Sequence, residues 1–188
     1  MLKQRIFIGL SVNNWISGIE DIQHQLDTIL KKYPINIQWQ KPESLHLTLI
    51  FVGEVDLTTT QQIYDILSSN ITQNFYHSFM LKAEKLFLLN HRHLVLNVVS
   101  PKLLEIQKKI QDVLAQENII QPEYNFHAHI TIGKIVDIKN SEQHIILETI
   151  EKTKNMIIQW PKIKISDINL YESHPKKKYV CLKNFQLI

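Results

Sequence analysis

The residues best suited to chemistry are two histidines in matching tetrapeptides, His46-Leu47-Thr48-Leu49 and His129-Ile130-Thr131-Ile132. Successive side chains of a strand alternate between faces, so His46 shares a face with Thr48, and His129 with Thr131. Each segment then offers an imidazole and a hydroxyl to one side and two apolar residues to a core. Nine histidines and nine threonines in 188 residues predict the pattern His–apolar–Thr–apolar about 0.08 times by chance, and two copies in about 0.3% of random chains. One copy would read as a half-buried histidine with a satisfied hydrogen bond. Two copies in equivalent positions read as a site.

Imidazole, with an unperturbed pKa of about 6.5, holds either proton state near neutral pH. Two imidazoles on opposite sides of one phosphorus can serve an in-line displacement. One activates water, and the other protonates the departing oxygen. The threonine hydroxyls can hydrogen-bond the non-bridging oxygens and hold the phosphorus between them. Nothing in the sequence ranks the two imidazoles as acid and base. This chemistry needs neither metal nor cofactor, and none is expected. Cys181 is the only cysteine, which leaves no internal disulfide and no cysteine cluster for zinc. Four glycines are too few for a glycine-rich phosphate loop.

The elements that must position these residues are legible in outline. Residues 5–10 read as a buried strand, rich in β-branched and aromatic side chains. Trp15, Ile19, Ile22, Leu26, Ile29 and Tyr33 recur in steps of three and four, one face of a helix ending before Pro34. Short strand-like runs follow at 37–40 and 45–52, the second closed by Gly53; then come a helix from near Thr58 and a strand at 79–88. After a turn at Asn90-His91-Arg92 the order repeats. His93–Val99 is a strand, Ser100-Pro101 starts a helix, Phe126–Val136 is a strand, 141–153 a helix, and 158–171 and 179–188 a closing pair of strands. The two histidines lie 83 residues apart, and so do the helices that follow them.

This spacing predicts an α+β protein: one bilobal domain over 1–188 with pseudo-two-fold symmetry and an internal repeat of roughly 1–90 and 91–188. Two antiparallel sheets would face a central groove, with helices packed outside. No apolar run reaches the roughly 18 residues that span a bilayer, and the N-terminus lacks a secretory leader. A cytoplasmic protein without a membrane partner, acting as a monomer, is expected. The net charge of +3 suits contact with one or a few phosphates rather than a long duplex.

Together these features resemble the two-histidine (2H) phosphoesterase superfamily, whose hallmark is a pair of His-x-Thr/Ser-x motifs in a duplicated fold. Within it the chain is most similar to the bacterial and archaeal RNA 2′,3′-cyclic phosphodiesterases, also described as 2′-5′ RNA ligases. Segments that match include Arg5-Ile-Phe-Ile-Gly, Trp39 with Pro42 through Leu49, Phe51 through Val55, His93 through Leu96, Phe126 through Lys134, and Leu170-Tyr171-Glu172-Ser173. The resemblance spans nearly the whole chain. It implies His46 and His129 as catalytic residues that open a 2′,3′-cyclic phosphate to a 2′-phosphomonoester, with an RNA end or a small cyclic nucleotide as partner. Thr48, Thr131, Lys134 and His127 are the candidate substrate-binding residues.

Two positions depart from the family pattern. Ala128 stands where proline is usual, with little consequence expected. Lys134 stands where arginine is usual; it keeps the charge but loses bidentate phosphate contact. Strand parity puts Lys134 on the face opposite His129, so it reaches the groove only through a bulge near Gly133. His127 shares parity with His129 and reads first as a polar residue at the groove edge. His91 and His93 read as a solvated turn, and Trp39 and Phe51 as core. The basic run at 174–179 reads as a solvated hairpin tip, with contact to an RNA backbone as its functional reading. The rival functions are a 2H enzyme for small cyclic nucleotides or 2′-5′ linked oligonucleotides, and an RNA-end binding module with little turnover.

Overall fold

The computed structural model describes residues 3–33, 35–73, 77–123, 125–136, 143–154, 162–174 and 179–188. In chain order the elements are β1 (Lys3–Ser11), α1 (Ile16–Leu30), β2 (Asn36–Trp39), β3 (His46–Asp56), α2 (Leu57–Gln73), β4 (Phe79–Leu89), β5 (His93–Val99), α3 (Pro101–Gln116), β6 (His129–Val136), α4 (Gln143–Lys154), β7 (Lys162–Ile165), β8 (Asp167–Glu172) and β9 (Val180–Gln186).

All described strands join in one antiparallel sheet of order β7-β4-β5-β6-β3-β1-β8-β9, with β2 on the far part of β6. The two sheets expected from the repeat are its two halves, met at a single pair, Leu47 with Ile130. Strand order does not follow the halves of the chain. β4, from the first half, pairs with β5; β8, from the second, pairs with β1. Each half of the chain thus lends strands to the other lobe, β2 and β4 from the first half and β8 and β9 from the second. The helices cross over likewise: α1 lies against β6 and α4, whereas α3 lies against β3 and α2.

Apolar periodicity explains these placements. Ile19, Ile22, Leu26 and Leu30 form the buried stripe of α1, and Leu103, Ile106, Ile110 and Leu114 that of α3. Ser100 caps α3 by accepting the Leu103 N–H at 3.4 Å, with Pro101 at the first helical position where its missing N–H costs nothing. Asp56 does the same for α2, accepting the Thr59 N–H at 2.8 Å. Along β1, Ile6, Ile8 and Leu10 enter the main core, and Leu94, Leu96 and Val98 do so along β5. Phe7 and Val95 are equally buried but lie outside that core cluster, on the opposite face of the sheet.

Three boundaries differ from expectation. Gly53 does not close β3, which runs on to Asp56; with φ at +92° it takes a conformation glycine adopts without cost beside a register shift at Val52. β6 starts at His129 rather than Phe126, because β5 gives way to α3 at Ser100 and leaves residues before Ala128 no ladder partner. The 158–171 segment comprises two strands, β7 and β8. Of the basic tip, residues 175–178 lie outside the described residues, and His174 reaches Glu172 at 3.5 Å.

Candidate active site

The seam between the lobes assembles the site. Antiparallel pairing of Leu47 with Ile130 sets His46 across from Thr131 and Thr48 across from His129. Leu47 and Ile130 are fully buried beneath, while the two histidines and two threonines are all part-exposed on the other face. The alternation read from the tetrapeptides is the burial pattern of both strands. The four residues form a square about the pseudo-two-fold axis.

Each imidazole is held the same way. His46 Nδ1 bonds the Ser44 carbonyl at 2.8 Å and His129 Nδ1 bonds the His127 carbonyl at 2.7 Å. A carbonyl can only accept, so each Nδ1 carries the proton, and in the neutral ring Nε2 keeps its lone pair. No described residue bonds either Nε2. Each neutral ring thus has Nε2 as its proton-accepting atom, and both histidines lie on the same part-exposed face of the paired strands.

Beyond this square the lobes diverge. His46 is ringed by aromatics: Tyr179 meets it edge-on at 4.6 Å between centroids, Phe7 at 5.0 Å and Tyr171 at 6.3 Å. Burial pushes the His46 pKa below the ordinary imidazole value; its Ser44 bond opposes this, and the charge of His129 lowers it further. Burial also pushes up both tyrosines, Tyr171 strongly. On the second lobe, His129 pairs in register with Asn97, Thr131 with Val95, and Lys134 with His93.

That last pairing comes from a bulge. The register skips Ile132, so Gly133 meets Leu94 and Lys134 meets His93. Ile132 and Ile135 are buried while Lys134 is part-exposed, which turns Lys134 to the His129 face against simple parity. A Cβ on Gly133 would meet the Trp39 ring at 2.9 Å, so glycine is needed where β2 crosses. An equivalent skip at Leu49 in β3 brings Phe51 to the position that Lys134 holds in β6.

Several expectations change. Phe51 is not core but 51% exposed, with the Arg5 guanidinium 5.0 Å from its ring centroid. Trp39 is partly buried as expected, its indole N–H donating to Asp27 Oδ1 at 3.2 Å. His127 lies just outside β6 with an exposed side chain, and its carbonyl orients His129. His93 is no solvated turn residue: the turn ends at Arg92, and His93 is the part-buried first residue of β5. Burial holds its pKa below the ordinary value, helped by the charges of Lys134, Arg92 and His129. Sequence reasoning missed His93 and the ring of Phe7, Tyr171 and Tyr179. The closing strands return to β1, and only their pairing reveals it. Among the described residues no group of three His, Cys, Asp or Glu stands together as a metal site.

The lobes also carry matching cavities beside the histidines. Ser11, Glu43, Ser44 and Leu45 line one of about 280 Å³ against His46. Their counterparts Asn97, Phe126, His127 and Ala128 line one of about 380 Å³ beside His129. The first is polar; the second has apolar walls from Val99, Pro101 and Leu104.

The chain superposes on the crystal structure of Escherichia coli LigT complexed with 3′-AMP at a TM-score of 0.71, with 18% identity over 99% of both chains. It also superposes on the Thermus thermophilus protein TT0787 at a TM-score of 0.70, with 15% identity over 97% of both. The chain has the two-histidine phosphoesterase fold. The RNA 2′,3′-cyclic phosphodiesterase of Methanothermobacter thermautotrophicus is 21% identical over 175 residues, 92% of this chain and 91% of that protein. The enzyme of the same name from Thermotoga maritima is 28% identical over 137 residues, 70% of each chain. No protein-family model matches the chain. The superfamily resemblance drawn from the paired motifs thus holds in fold and in relatives, and a phosphodiesterase is the activity those relatives are named for. Both His-x-Thr motifs lie at the seam of the sheet. No helix among the described residues is long and apolar enough to cross a membrane.

Proposed function

We propose that this protein is a metal-independent RNA 2′,3′-cyclic phosphodiesterase that opens a terminal cyclic phosphate to a 2′-phosphomonoester. The observation that carries the reading is the pair of oriented imidazoles, His46 and His129, each with Nδ1 fixed by a carbonyl and both on one part-exposed face of paired strands. One ring takes a proton from water as its oxygen attacks phosphorus. The other gives a proton to the ribose 3′-oxygen as that bond breaks. Thr48 and Thr131 donate to the non-bridging oxygens, where negative charge gathers in the transition state. Lys134 adds a positive charge on the same face, with His127 at its edge. The two relatives named for this activity, and LigT crystals complexed with 3′-AMP and with phosphate, support the substrate class. The protein acts as a cytoplasmic monomer in this reading.

A base and an acid need one proton between them. Burial holds the His46 pKa below the ordinary imidazole range, so that ring keeps its Nε2 lone pair to lower pH. The test is turnover of a cyclic-phosphate-ended oligoribonucleotide by His46→Ala and by His129→Ala, with folding checked by circular dichroism. General acid–base catalysis contributes about 10²–10⁴-fold, so each variant falls by at least that range. Wild-type turnover by a folded variant removes that histidine from the mechanism.

A further inference from the structure

Nothing in the chemistry of the reacting phosphate uses His93, yet the fold presents it on the catalytic face beside Lys134. We propose that His93 and Lys134 form a second anion seat, which binds the phosphate on the 5′ side of the terminal nucleoside, so that the enzyme selects nucleotides within a chain over bare nucleoside cyclic phosphates. This rests on the function proposed above and names the substrate feature that the same groove reads.

Four observations carry it. The bulge at Ile132 puts Lys134 and His93 opposite each other in the β5–β6 ladder. His93 and Val95 are two residues apart on a strand that keeps its alternation, and Val95 is the partner of Thr131. The seat therefore stands roughly 7 Å along the strands from Thr131, at about 3.3 Å per residue. That is one phosphate spacing along a nucleic-acid strand, and too far for the short His93 side chain to share the reacting phosphate. Third, the surroundings are cationic. Among the described residues no carboxylate pairs with Lys134, and the β4 partners in the same three rows are Lys85, Phe87 and Leu89, none of them acidic. Fourth, the corresponding positions of the other lobe are Phe7 and Phe51, which cannot hold an anion. The His93 pKa, held down by burial and by Lys134, Arg92 and His129, fits a ring that is neutral in the empty groove and gains a proton when an anion arrives.

The test measures binding, so it does not depend on turnover. Affinities of adenosine 2′-monophosphate and adenosine 2′,5′-bisphosphate are compared by calorimetry on the full chain. The wild type binds the bisphosphate at least tenfold tighter, and added salt shrinks the difference. His93→Gln brings the ratio close to one, and His93→Arg restores it. The ratio is read only in a variant that binds adenosine 2′-monophosphate as the wild type does, since a misfolded variant would weaken both ligands together. Equal affinities in the wild type, or an unchanged ratio in His93→Gln, overturn the seat. If the ratio holds but no cyclic phosphate is opened, the catalytic reading fails and the seat stands. If cyclic phosphates are opened and the ratio is one, the seat fails and the catalytic reading stands.

Discussion

The two lobes hold their histidines identically and surround them differently. His46 lies in an aromatic nest of Phe7, Tyr171 and Tyr179, whereas His129 opens onto Asn97, Lys134 and His93. The cavities beside them differ too, in the opposite sense: the one against His46 is polar and the one beside His129 is apolar. Under the proposed function a symmetric scaffold meets an asymmetric substrate. A cyclic phosphate has water on one side of phosphorus and a nucleoside on the other, so the square about the axis must be shared while its flanks must differ. Under the proposed function, what is duplicated is the proton chemistry, and what has diverged is recognition.

The largest effect should come from treating the square as one unit. The double variant His46→Ala/His129→Ala should lose no more turnover than the worse single variant, because residues acting in one step are strongly non-additive. Additive losses in single-turnover kinetics would mean that each ring works alone. Next, Thr48→Val and Thr131→Val should each cost about 10–100-fold in kcat/KM, from losing a hydrogen bond to a charged group worth about 1.5–3 kcal/mol. If only one of them matters, the symmetry of the square ends at the histidines.

The aromatic nest predicts a pH effect with a definite sign. Desolvation lowers the His46 pKa, so the acid limb of the kcat/KM profile should lie below the ordinary imidazole value. Tyr179→Ala admits water to the ring, raises its pKa and moves that limb to higher pH. A limb that stays put would show that the nest does not tune His46. The smallest effect concerns packing. Gly9 faces Thr48, where a Cβ would come within 2.8 Å of the Leu47 carbonyl oxygen; Val95 at the equivalent place carries a full side chain. Gly9→Ala should cost about 1–3 kcal/mol by overpacking in chemical denaturation, and a neutral result would show that β1 shifts freely.

What could be read in advance divides along a physical line. The faces of His46, Thr48, His129 and Thr131 depend on alternation over three residues, which sequence alone states. The helices of each repeat were legible from the 3.6-residue period of residues such as Ile19, Ile22 and Leu26. Lys134 was ambiguous because its face depends on one skipped residue, Ile132, fixed by a neighbouring strand and by Trp39 lying on Gly133. His93 and Phe51 were misread, since a turn ending at Arg92 and a second skip at Leu49 are set by pairing. The exchange of β4 and β8 between lobes, which brings Tyr171 to His46, depends on long-range register that no local pattern encodes.

The most direct measurement is incubation of the purified protein, with EDTA present, with a short RNA ending in a 2′,3′-cyclic phosphate, the product end being mapped by phosphatase sensitivity and mass spectrometry. The account predicts a product heavier by one water whose phosphate is on the 2′-oxygen and is removed by phosphatase. A 3′-phosphate product would place the attack on the wrong bond. Unchanged RNA, from a folded protein that still binds it, would contradict the proposed catalysis and leave a module that holds RNA ends.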